Sequence, residues 1–426
     1  MRFSELDGLA VGVWGAGLET RSFARLLRER LPRARIAVVV LEAPAEAPEL
    51  TDGATVVDAA HAAEALTACD ILVRSPGVSI YRPELAGVPT ATPTGLWLAE
   101  REGRNVIGVT ATKGKSTTAK LIAHLIGKTG REVLLGGNIG RPALDFLDDD
   151  TLAVIELSSY QIADLPTGPE IAMAANVYSE HLQWHVTFDA YRADKLRLLN
   201  LPGVRRCVLN ATSPEVMAAP RATDDVFLFG EAPGWHVAEG NRVVRGDETF
   251  GPVPLFGPHN ALNVCGALTA LEAAGIALPP ADALSDFENL PHRMQVVHEA
   301  GGITWIDDSI STEPHAARFA VESFPGRPVI LIGGGFDRGQ DYAELGAFLA
   351  ARDVRVFALP TTGERLAAAV GETATLVPDL RSAVAAARAA AKPGTVVLLS
   401  PAAPSFNTHK NFEARGDEFR ALVQAG

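Results

Sequence analysis

The clearest candidate for chemistry is a short loop rich in glycine and lysine. It runs from Gly108 to Gly114 and continues into Lys115 and Ser116, with an apolar run (105–110) before it and a helix-forming stretch (117–128) after it. A loop that joins a strand to a helix in this way directs backbone N–H groups at phosphate. The pattern predicts a nucleoside triphosphate site, with Lys115 on the phosphates and the Ser116 hydroxyl facing Mg²⁺.

The spacing within this loop differs from that of an ordinary P-loop. Five residues rather than four separate Gly108 from Gly114. A tight strand–helix turn capped by a serine is the alternative interpretation. The sequence GKSTT between a buried strand and a helix favours the phosphate site.

Four more residues could work beside the loop. Glu156 ends the apolar run 152–156, His181 and His185 follow another (171–177), and Lys195 lies on a helix-forming stretch (188–196). A carboxylate at a strand end suits a Mg²⁺ ligand or a group that orients water. Taken singly, each has an ordinary interpretation: a solvated acid, structural histidines and a surface lysine.

A second glycine pattern lies near the start of the chain. Gly15 and Gly17 follow an apolar strand, and Thr20 stands where a dinucleotide fingerprint has its third glycine. Glu42, after the next strand, is the right type of residue for a ribose hydroxyl. Binding of NAD therefore stays open, as does a Rossmann-like domain without a nucleotide.

The elements that must position these residues alternate between short apolar runs and Ala/Leu/Arg-rich stretches. Apolar runs without polar alternation are typical of parallel strands covered on both faces. A length of 426 residues suggests about three domains. We predict an α/β protein with a Rossmann-like domain (1–93), a P-loop ATPase-like domain with a mostly parallel sheet (94–290) and a Rossmann-like C-terminal domain (291–426). The turn-rich segment 211–256 predicts a small antiparallel extension of the middle domain.

Composition limits the class of protein. The formal net charge of −13 is spread along the chain and argues against non-specific nucleic-acid binding. Three separated cysteines have no metal-binding spacing and favour a reducing compartment. No apolar stretch approaches the ~20 residues of a spanning helix. We therefore expect a cytoplasmic protein that neither enters a membrane nor binds nucleic acid, and we expect a monomer that acts on small molecules.

Taken together and in this order, these elements resemble the Mur ligase superfamily. Its members join amino acids to nucleotide-linked muramic acid during peptidoglycan synthesis, and the likeness is closest to the glutamate-adding branch. The resemblance covers nearly the whole chain. Its further anchors are 75–77, 136–140, 257–263, 291–293, 307–309, 333–335, 399–401, 405–406 and 411–413.

The resemblance implies a role for individual residues. It assigns to ATP binding Thr112, Lys113, Gly114, Lys115, Ser116, Thr117, Asn260, Asn263, Arg293 and Asp308. It assigns to the UDP-linked substrate Gly15, Gly17, Thr20, Ser75, Pro76, Gly77, Asn138 and Ser159. It assigns to the incoming amino acid Thr312, Arg338, Ser405 and Phe412.

The same resemblance implies the catalytic group and its cofactors. The catalytic residues are Lys115, Glu156, His181 and Lys195, and the metal-holding residues are Ser116, Glu156, His181 and Lys195. ATP and two Mg²⁺ ions are the implied cofactors. Lys195 matches a lysine that the family carbamylates with CO₂, which converts a cation into an anion that is compatible with nearby Mg²⁺.

The implied reaction is the ATP-dependent joining of glutamate to UDP-N-acetylmuramoyl-L-alanine. ATP phosphorylates the alanyl carboxylate, the glutamate amine attacks the acyl phosphate, and phosphate leaves. The departures from the family pattern include Ile310, Arg338 and Asn407 in the third domain. They resemble a branch that adds L-glutamate, and this is the favoured reading. The alternatives are an ordinary D-glutamate-adding enzyme, a folate polyglutamylating ligase and a non-catalytic nucleotide sensor.

Overall fold

The computed structural model describes residues 1–42 and 47–425. It divides into two compact units, one of Met1–Pro254 with His259–Phe287 and one of Leu255–Pro258 with Glu288–Gly426. Two of its sheets are parallel throughout and a third is parallel except at one edge. The predicted α/β class with mostly parallel sheets is therefore confirmed, whereas the boundaries after residues 93 and 290 stay a prediction.

The first unit begins with a five-stranded parallel sheet in the order β3-β2-β1-β4-β5. Its strands are β1 (Ala10–Trp14), β2 (Arg35–Val40), β3 (Thr55–Val57), β4 (Ile71–Arg74) and β5 (Thr90–Ala91). The helices of this region are α1 (Leu18–Arg30), α2 (Pro48–Thr51), α3 (Ala62–Ala65) and α4 (Pro93–Glu100). Strand β2 buries five consecutive residues, as expected for a strand covered on both faces.

A six-stranded parallel sheet follows, in the order β11-β10-β9-β6-β8-β7. Its strands are β6 (Val106–Thr110), β7 (Leu134–Gly137), β8 (Ala153–Glu156), β9 (Ile171–Ala174), β10 (Arg206–Asn210) and β11 (Val226–Phe229). Its helices are α5 (Lys115–Lys128), α6 (Ser159–Ile162), α7 (Leu182–His185), α8 (Phe188–Leu196) and α9 (Pro214–Met217). Since parallel strands end at one edge, the residues after β6, β8 and β9 come together there.

A small antiparallel sheet and a long helix complete the first unit's elements. The sheet consists of β12 (His236–Ala238), β13 (Arg242–Arg245) and β14 (Glu248–Phe250), within the range where the turn-rich sequence predicted it. The helix α10 (Pro258–Ala273) carries twelve buried residues. It is apolar almost all round, which is typical of a helix enclosed by the core.

The second unit has a six-stranded sheet in the order β15-β16-β20-β17-β18-β19, with only the β15–β16 pair antiparallel. The strands are β15 (Gln295–Ala300), β16 (Ile303–Asp307), β17 (Val329–Gly334), β18 (Val354–Leu359), β19 (Ala374–Leu376) and β20 (Val396–Leu399). The helices are α11 (Pro314–Glu322), α12 (Ala343–Ala350), α13 (Gly363–Val370), α14 (Leu380–Ala390) and α15 (Phe412–Gln424).

A buried arginine joins the two parallel sheets of the first unit. Arg74, at the end of β4, is fully buried and makes two bonds to Asp164, at 2.7 and 2.8 Å. Its remaining donors reach the carbonyl oxygens of Val78 and Tyr160, both at 2.9 Å. Such a two-toothed pair with further carbonyl bonds satisfies the desolvated charge. Arg74 therefore ties the loop after β4 to the segment around α6.

Replacing Arg74 with alanine is expected to destabilise the first unit by about 3–5 kcal/mol, because Asp164 loses its partner and a large side chain is removed. Urea unfolding followed by circular dichroism measures the change. Arg28 is the matched control, since its exposed guanidinium donates to Asp52 O at 2.9 Å. Arg28→Ala should stay within about 0.5 kcal/mol. Equal shifts in the two variants would contradict the assigned role of Arg74.

Candidate active site

The glycine–lysine loop lies between β6 and α5, as predicted. Gly114 has φ +86°, and a Cβ built on it would lie 2.7 Å from the Asn263 Oδ1 atom, so glycine alone fits there. The Asn263 amide donates to Asn260 Oδ1 at 3.1 Å, and both asparagines are buried on α10. The structure therefore places Asn263 against the loop, and Asn260, the other residue expected on the adenine side, is hydrogen-bonded to it.

A further asparagine, which follows β9, is hydrogen-bonded to the loop. The Lys113 N–H donates to Asn176 Oδ1 at 2.9 Å, and the Asn176 amide donates back to Lys113 O at 3.0 Å. The hydroxyls of Thr112 and Tyr191 lie 2.7 Å apart. Neither Asn176 nor Tyr191 was among the predicted site residues. An asparagine directly after an apolar strand was the available signal.

Three more of the expected ATP-site residues lie around the loop. Lys113 also forms an ion pair with Glu180, which holds its ammonium beside the loop. Ser116 is half-buried on the first turn of α5, and Thr117 is buried behind it. A helix N-terminus with a hydroxyl on its first turn is a suitable place for an anion and its metal ion.

Two lysines converge on one carbonyl oxygen at this edge of the sheet. Lys115 Nζ donates to Ala111 O at 2.8 Å and to Thr112 O at 3.0 Å, and Lys195 Nζ donates to the same Ala111 O at 3.0 Å. Lys195 is only 2% exposed. Burial, with the nearby Lys115 charge, lowers the pKa of Lys195 well below its usual value. Lys195 is therefore a buried amine and not the surface lysine of the ordinary interpretation.

Glu156 carries a buried oxygen that lacks a partner. The side chain is 1% exposed, and its Oε1 accepts a hydrogen bond of 3.0 Å from the Asn138 amide. Within residues 1–42 and 47–425, no group hydrogen-bonds its buried Oε2. The strand register pairs Glu156 with Val109, the penultimate residue of β6. A buried carboxylate oxygen in this state fits a divalent cation.

His181 lies next to this group with a left-handed backbone at φ 58°. Its ring packs at 5.0 Å from the ring of Tyr160 and at 6.0 Å from that of Tyr191. Partial burial lowers the pKa of His181 to about 4, so the imidazole is neutral at pH 7. A neutral imidazole can bind a metal ion. Within the described part of the chain, no cluster of three or more His, Cys, Asp or Glu residues forms a metal site. Of the four residues expected to hold metal, only Glu156 and His181 are of these residue types.

The expected substrate loop of the first sheet also comes together. A Cβ on Gly15 would lie 2.8 Å from the Cβ of Ser75, and one on Gly17 would lie 3.1 Å from the Ser75 hydroxyl. The Thr20 hydroxyl donates to Gly15 O at 2.8 Å, so threonine closes the turn where a dinucleotide site has glycine. Around Gly77 a Cβ would meet nothing within 4 Å, so space does not require that glycine.

Side chains link this loop to the segment that carries His181 and Lys195. The Trp184 indole donates to Pro76 O at 3.1 Å, and the Ser79 hydroxyl donates to Trp184 O at 2.7 Å. Arg82, a few residues further on, forms ion pairs with Glu42 at 2.5 Å and with Glu84 at 3.3 Å. The expected substrate side and the expected metal side are therefore neighbours within the first unit.

In the second unit, Arg293 and Asp308 are close enough to interact electrostatically. Asp308 is 2% exposed and accepts bonds from Ser400 Oγ at 2.7 Å and from the Met294 N–H at 3.1 Å. Burial raises the pKa of Asp308 to about 6, which the Arg293 charge partly offsets. The buried Nε of Arg293 has no hydrogen-bond partner within the described ranges. The two residues could thus hold a polar ligand together.

The residues expected around the amino acid lie on loops of the same unit. The Arg338 guanidinium lies 5.5 Å from the centre of the Phe406 ring, and Ser405 has a buried Oγ without a partner among the described residues. Thr312 is half-buried before α11, and the carbonyl of Phe412 accepts the Ser309 hydroxyl at 2.8 Å. These contacts do not join all four expected residues, so their common role stays a prediction.

Arg415 was missed by the sequence analysis. It is 2% exposed and donates to Ser309 Oγ at 2.9 Å, Ser309 O at 2.8 Å and Ala403 O at 3.0 Å. Burial lowers its pKa to about 10. It therefore joins the loops 307–309 and 401–405. In the sequence Arg415 looks like any charged residue on a helix, and no local signal distinguishes it.

The residues that the structure describes form no helix long and apolar enough to cross a bilayer. Two family models match the chain: Mur ligase middle domain over residues 109–271 and Mur ligase, glutamate ligase domain over residues 292–403. A UDP-N-acetylmuramoyl-L-alanine–L-glutamate ligase of Micromonospora sp. is 39% identical over 449 residues, covering 100% of this chain and 98% of the relative.

Solved structures share the fold at low identity. The MurF ligase of Thermotoga maritima in complex with ADP has a TM-score of 0.61 at 17% identity and covers 100% of this chain and 96% of that chain. A folylpolyglutamate synthase/dihydrofolate synthase of Yersinia pestis with AMPPNP and Mn has a TM-score of 0.56 at 18% identity and covers 77% and 92%. The chain belongs to the Mur ligase family and is an ATP-dependent ligase of peptidoglycan synthesis.

Proposed function

We propose that the protein joins glutamate, with L-glutamate favoured, to UDP-N-acetylmuramoyl-L-alanine through an acyl phosphate. The observation that carries the proposal is the convergence of Lys115, Lys195 and Glu156 on one edge of the central sheet, which is the six-stranded parallel sheet β6–β11. The name of the Micromonospora relative supports the substrate and the isomer. The proposed partners are these small molecules alone; a monomeric state and a cytoplasmic location stay predictions.

ATP would bind with its phosphates on the loop 111–117 and its adenine near Asn260 and Asn263. The packing of Asn263 on Gly114 supports this arrangement, because it places the Asn263 amide directly beside the loop. Arg293 and Asp308 are proposed to contact phosphate and ribose. Lys115, whose ammonium is held by backbone carbonyls at 2.8 and 3.0 Å, would exchange these contacts for phosphate oxygens.

Divalent metal would be held by Ser116, Glu156, His181 and Lys195, and two Mg²⁺ ions are proposed. The unpartnered buried Oε2 of Glu156 and the neutral imidazole of His181 fit this role. Mg²⁺ bound there would neutralise negative charge on the transferred phosphoryl group. The ammonium form of Lys195 does not fit a cation site, which leads to its proposed modification.

The environment of Lys195 supports the proposed carbamylation. The reaction needs the neutral amine, and burial with the Lys115 charge favours that form. The amine nitrogen attacks CO₂, one N–H proton is released, and a carbamate anion results. The product would replace the repulsion between two lysines by an attraction to Lys115, and it would give oxygen atoms to the metal.

The chain's own residues would then position the two reacting groups. Lys115 stabilises the transferred phosphoryl group as the alanyl carboxylate attacks it. Asn138, which donates to Glu156 at 3.0 Å, and the loops 15–20 and 75–77 hold the nucleotide-sugar substrate. The neutral glutamate amine next attacks the acyl phosphate, the C–N bond forms and the C–O bond to phosphate breaks. One amine proton is released and the other stays on the amide nitrogen.

The preference for L-glutamate is proposed from the second unit. Arg338 presents a planar, two-toothed donor that suits a carboxylate better than a lysine does. Its guanidinium is held over the Phe406 ring at 5.5 Å. Ile310 provides no cation, so the glutamate carboxylates would be held differently from those in D-glutamate-adding relatives.

The proposed function predicts ADP release that requires both UDP-N-acetylmuramoyl-L-alanine and glutamate. A coupled ADP assay with L- and D-glutamate in separate reactions checks it, and we expect L-glutamate to give the higher kcat/KM. Higher activity with D-glutamate would reject the isomer and keep the reaction. Activity with folates instead would favour a folate ligase, and no activity with any acceptor would favour a nucleotide sensor.

A further inference from the structure

Four side chains of the first unit form a continuous chain of hydrogen bonds beside the proposed metal site. The Tyr81 hydroxyl donates to Asp194 Oδ2 at 2.9 Å. The same carboxylate oxygen lies 2.7 Å from His185 Nδ1, and His185 Nε2 lies 2.9 Å from the Ser159 hydroxyl oxygen. These four residues are called the Ser159 relay below.

The relay is shielded from water at three of its four members. His185 is fully buried, Ser159 is 2% exposed and Asp194 is 8% exposed. The ring of His185 is enclosed by those of Tyr160, Trp184 and Tyr191, with centroids 5.5, 4.3 and 5.2 Å away. In such surroundings each polar group depends on its protein partner, because solvent cannot replace it.

The Asp194 carboxylate fixes the direction of its hydrogen bond to His185. A carboxylate accepts hydrogen bonds and does not donate them, so Nδ1 of His185 carries the ring proton. When the ring carries only this proton, Nε2 is an acceptor and the Ser159 hydroxyl donates to it. The Ser159 oxygen has no second proton, so it can offer any further group only its lone pairs.

The members of the relay lie close in sequence to residues proposed for the reaction. Each buried member is close in sequence to a residue proposed for the metal site, in the pairs Glu156 and Ser159, His181 and His185, and Lys195 and Asp194. Tyr81 comes from the loop that follows the proposed substrate residues 75–77. The relay thus begins at the substrate loop and ends at the carboxyl edge of the central sheet.

We propose that Ser159 accepts a hydrogen bond from an N–H group of the substrate, and that Tyr81, Asp194 and His185 are positioning residues that make it an acceptor. The proposal rests on the proposed function, since the muramoyl–alanine amide supplies an N–H next to the reacting carboxylate. Phosphate and carboxylate oxygens need a donor and are excluded as partners of Ser159. Because Ser159 is almost fully buried, only one small group could reach its hydroxyl.

The kinetic test replaces the substrate N–H by oxygen. The unaltered enzyme is assayed with UDP-N-acetylmuramoyl-L-alanine and with the ester analogue built from L-lactate. We expect kcat/KM to be about tenfold lower for the ester, which lacks the donor. In Ser159→Ala the amide should lose this advantage, and the ratio should approach one. A ratio that is the same in both enzymes would overturn the proposal, because a purely structural serine would affect both substrates equally.

The positioning residues are tested with an isosteric change. Asp194→Asn lets an amide N–H face His185 Nδ1, which reverses the ring's tautomer and takes the acceptor away from Ser159. The preference for the amide over the ester substrate should fall as in Ser159→Ala. Asp189→Asn is the matched control, since Asp189 is on the same helix with its side chain 83% exposed, and it should keep the preference. Retention of the preference in Asp194→Asn would overturn the relay.

Proton NMR tests the relay without turnover. A ring proton shared with a buried carboxylate resonates far downfield, and the chain has a second such pair, in which His292 Nδ1 lies 2.7 Å from Asp307. Asp194→Asn should remove one of the two resonances and leave the other as an internal reference. Survival of both would overturn the relay. Loss of one resonance in a protein that ligates neither glutamate isomer would support the relay and reject the proposed function.

Discussion

Lys115→Ala is expected to lower the rate of ADP formation by about 10²–10³-fold or more. Lys115 is the ammonium nearest the proposed phosphates, and removal of one preorganised donor to a transition-state charge costs about that factor. The fold should persist, because the side chain is only half-buried and donates to carbonyl oxygens of its own loop at 2.8 and 3.0 Å. The measurement is kcat with saturating substrates, together with the thermal unfolding midpoint.

Lys128 on the same helix provides the control for this variant. It lies at the last residue of α5 and pairs with Asp286 at 2.6 Å, at the opposite end from the loop. Lys128→Ala should keep kcat within about twofold, since a surface ion pair contributes little. If Lys115→Ala turned over ATP as fast as Lys128→Ala, the nucleotide site would have to lie elsewhere.

The strand–loop–helix arrangement at residues 106–128 could be predicted because its signal is local. Gly114, Lys115 and Ser116 are adjacent, and their meaning depends only on the strand before them and the helix after them. The α/β class was predictable for a similar reason, since uninterrupted apolar runs such as β2 need cover on both faces. The antiparallel β15–β16 pair was not foreseen, because an edge strand with polar residues has a weak pattern.

The roles proposed for Glu156 and Lys195 came only from the resemblance. Their sequence neighbourhoods do not show that one carboxylate oxygen is buried without a partner or that two lysines share one carbonyl. These facts come from strand order, since β6 and β8 are neighbours in the sheet although α5 and β7 separate them in the chain. Nothing local in the sequence fixes that order.

Contacts across long separations were the part that the sequence could not predict. Tyr81 and Asp194 are 113 positions apart, and Arg74 and Asp164 are 90 apart. Each of these residues has the type of an ordinary surface group, and only the packing of the two sheets brings the pairs into contact. Arg415 is the same case in the second unit, where it is held by carbonyl and hydroxyl oxygens rather than by a carboxylate.

Lys195→Ala is expected to lower ligase turnover by at least about 10²-fold, with partial recovery in the presence of small carboxylic acids. The variant leaves a cavity where the buried side chain stood, and acetate or propionate could enter it with its charge toward Lys115. Recovery would follow from the carbamate proposal, because the missing group is then an anion. The measurement is ADP release as a function of acid concentration, at constant ionic strength and pH.

The choice of added compound separates the two forms of Lys195. If the residue acts as an ammonium, short alkylamines should restore turnover and carboxylic acids should not. Lys115→Ala serves as the matched variant, since its neighbour Lys195 stays in place and carboxylic acids should give it no recovery. Removal of dissolved CO₂ from the unaltered enzyme should lower turnover reversibly. Because burial and the Lys115 charge both disfavour the cation, recovery by amines alone would mean that a buried ammonium is stabilised by phosphate rather than by metal.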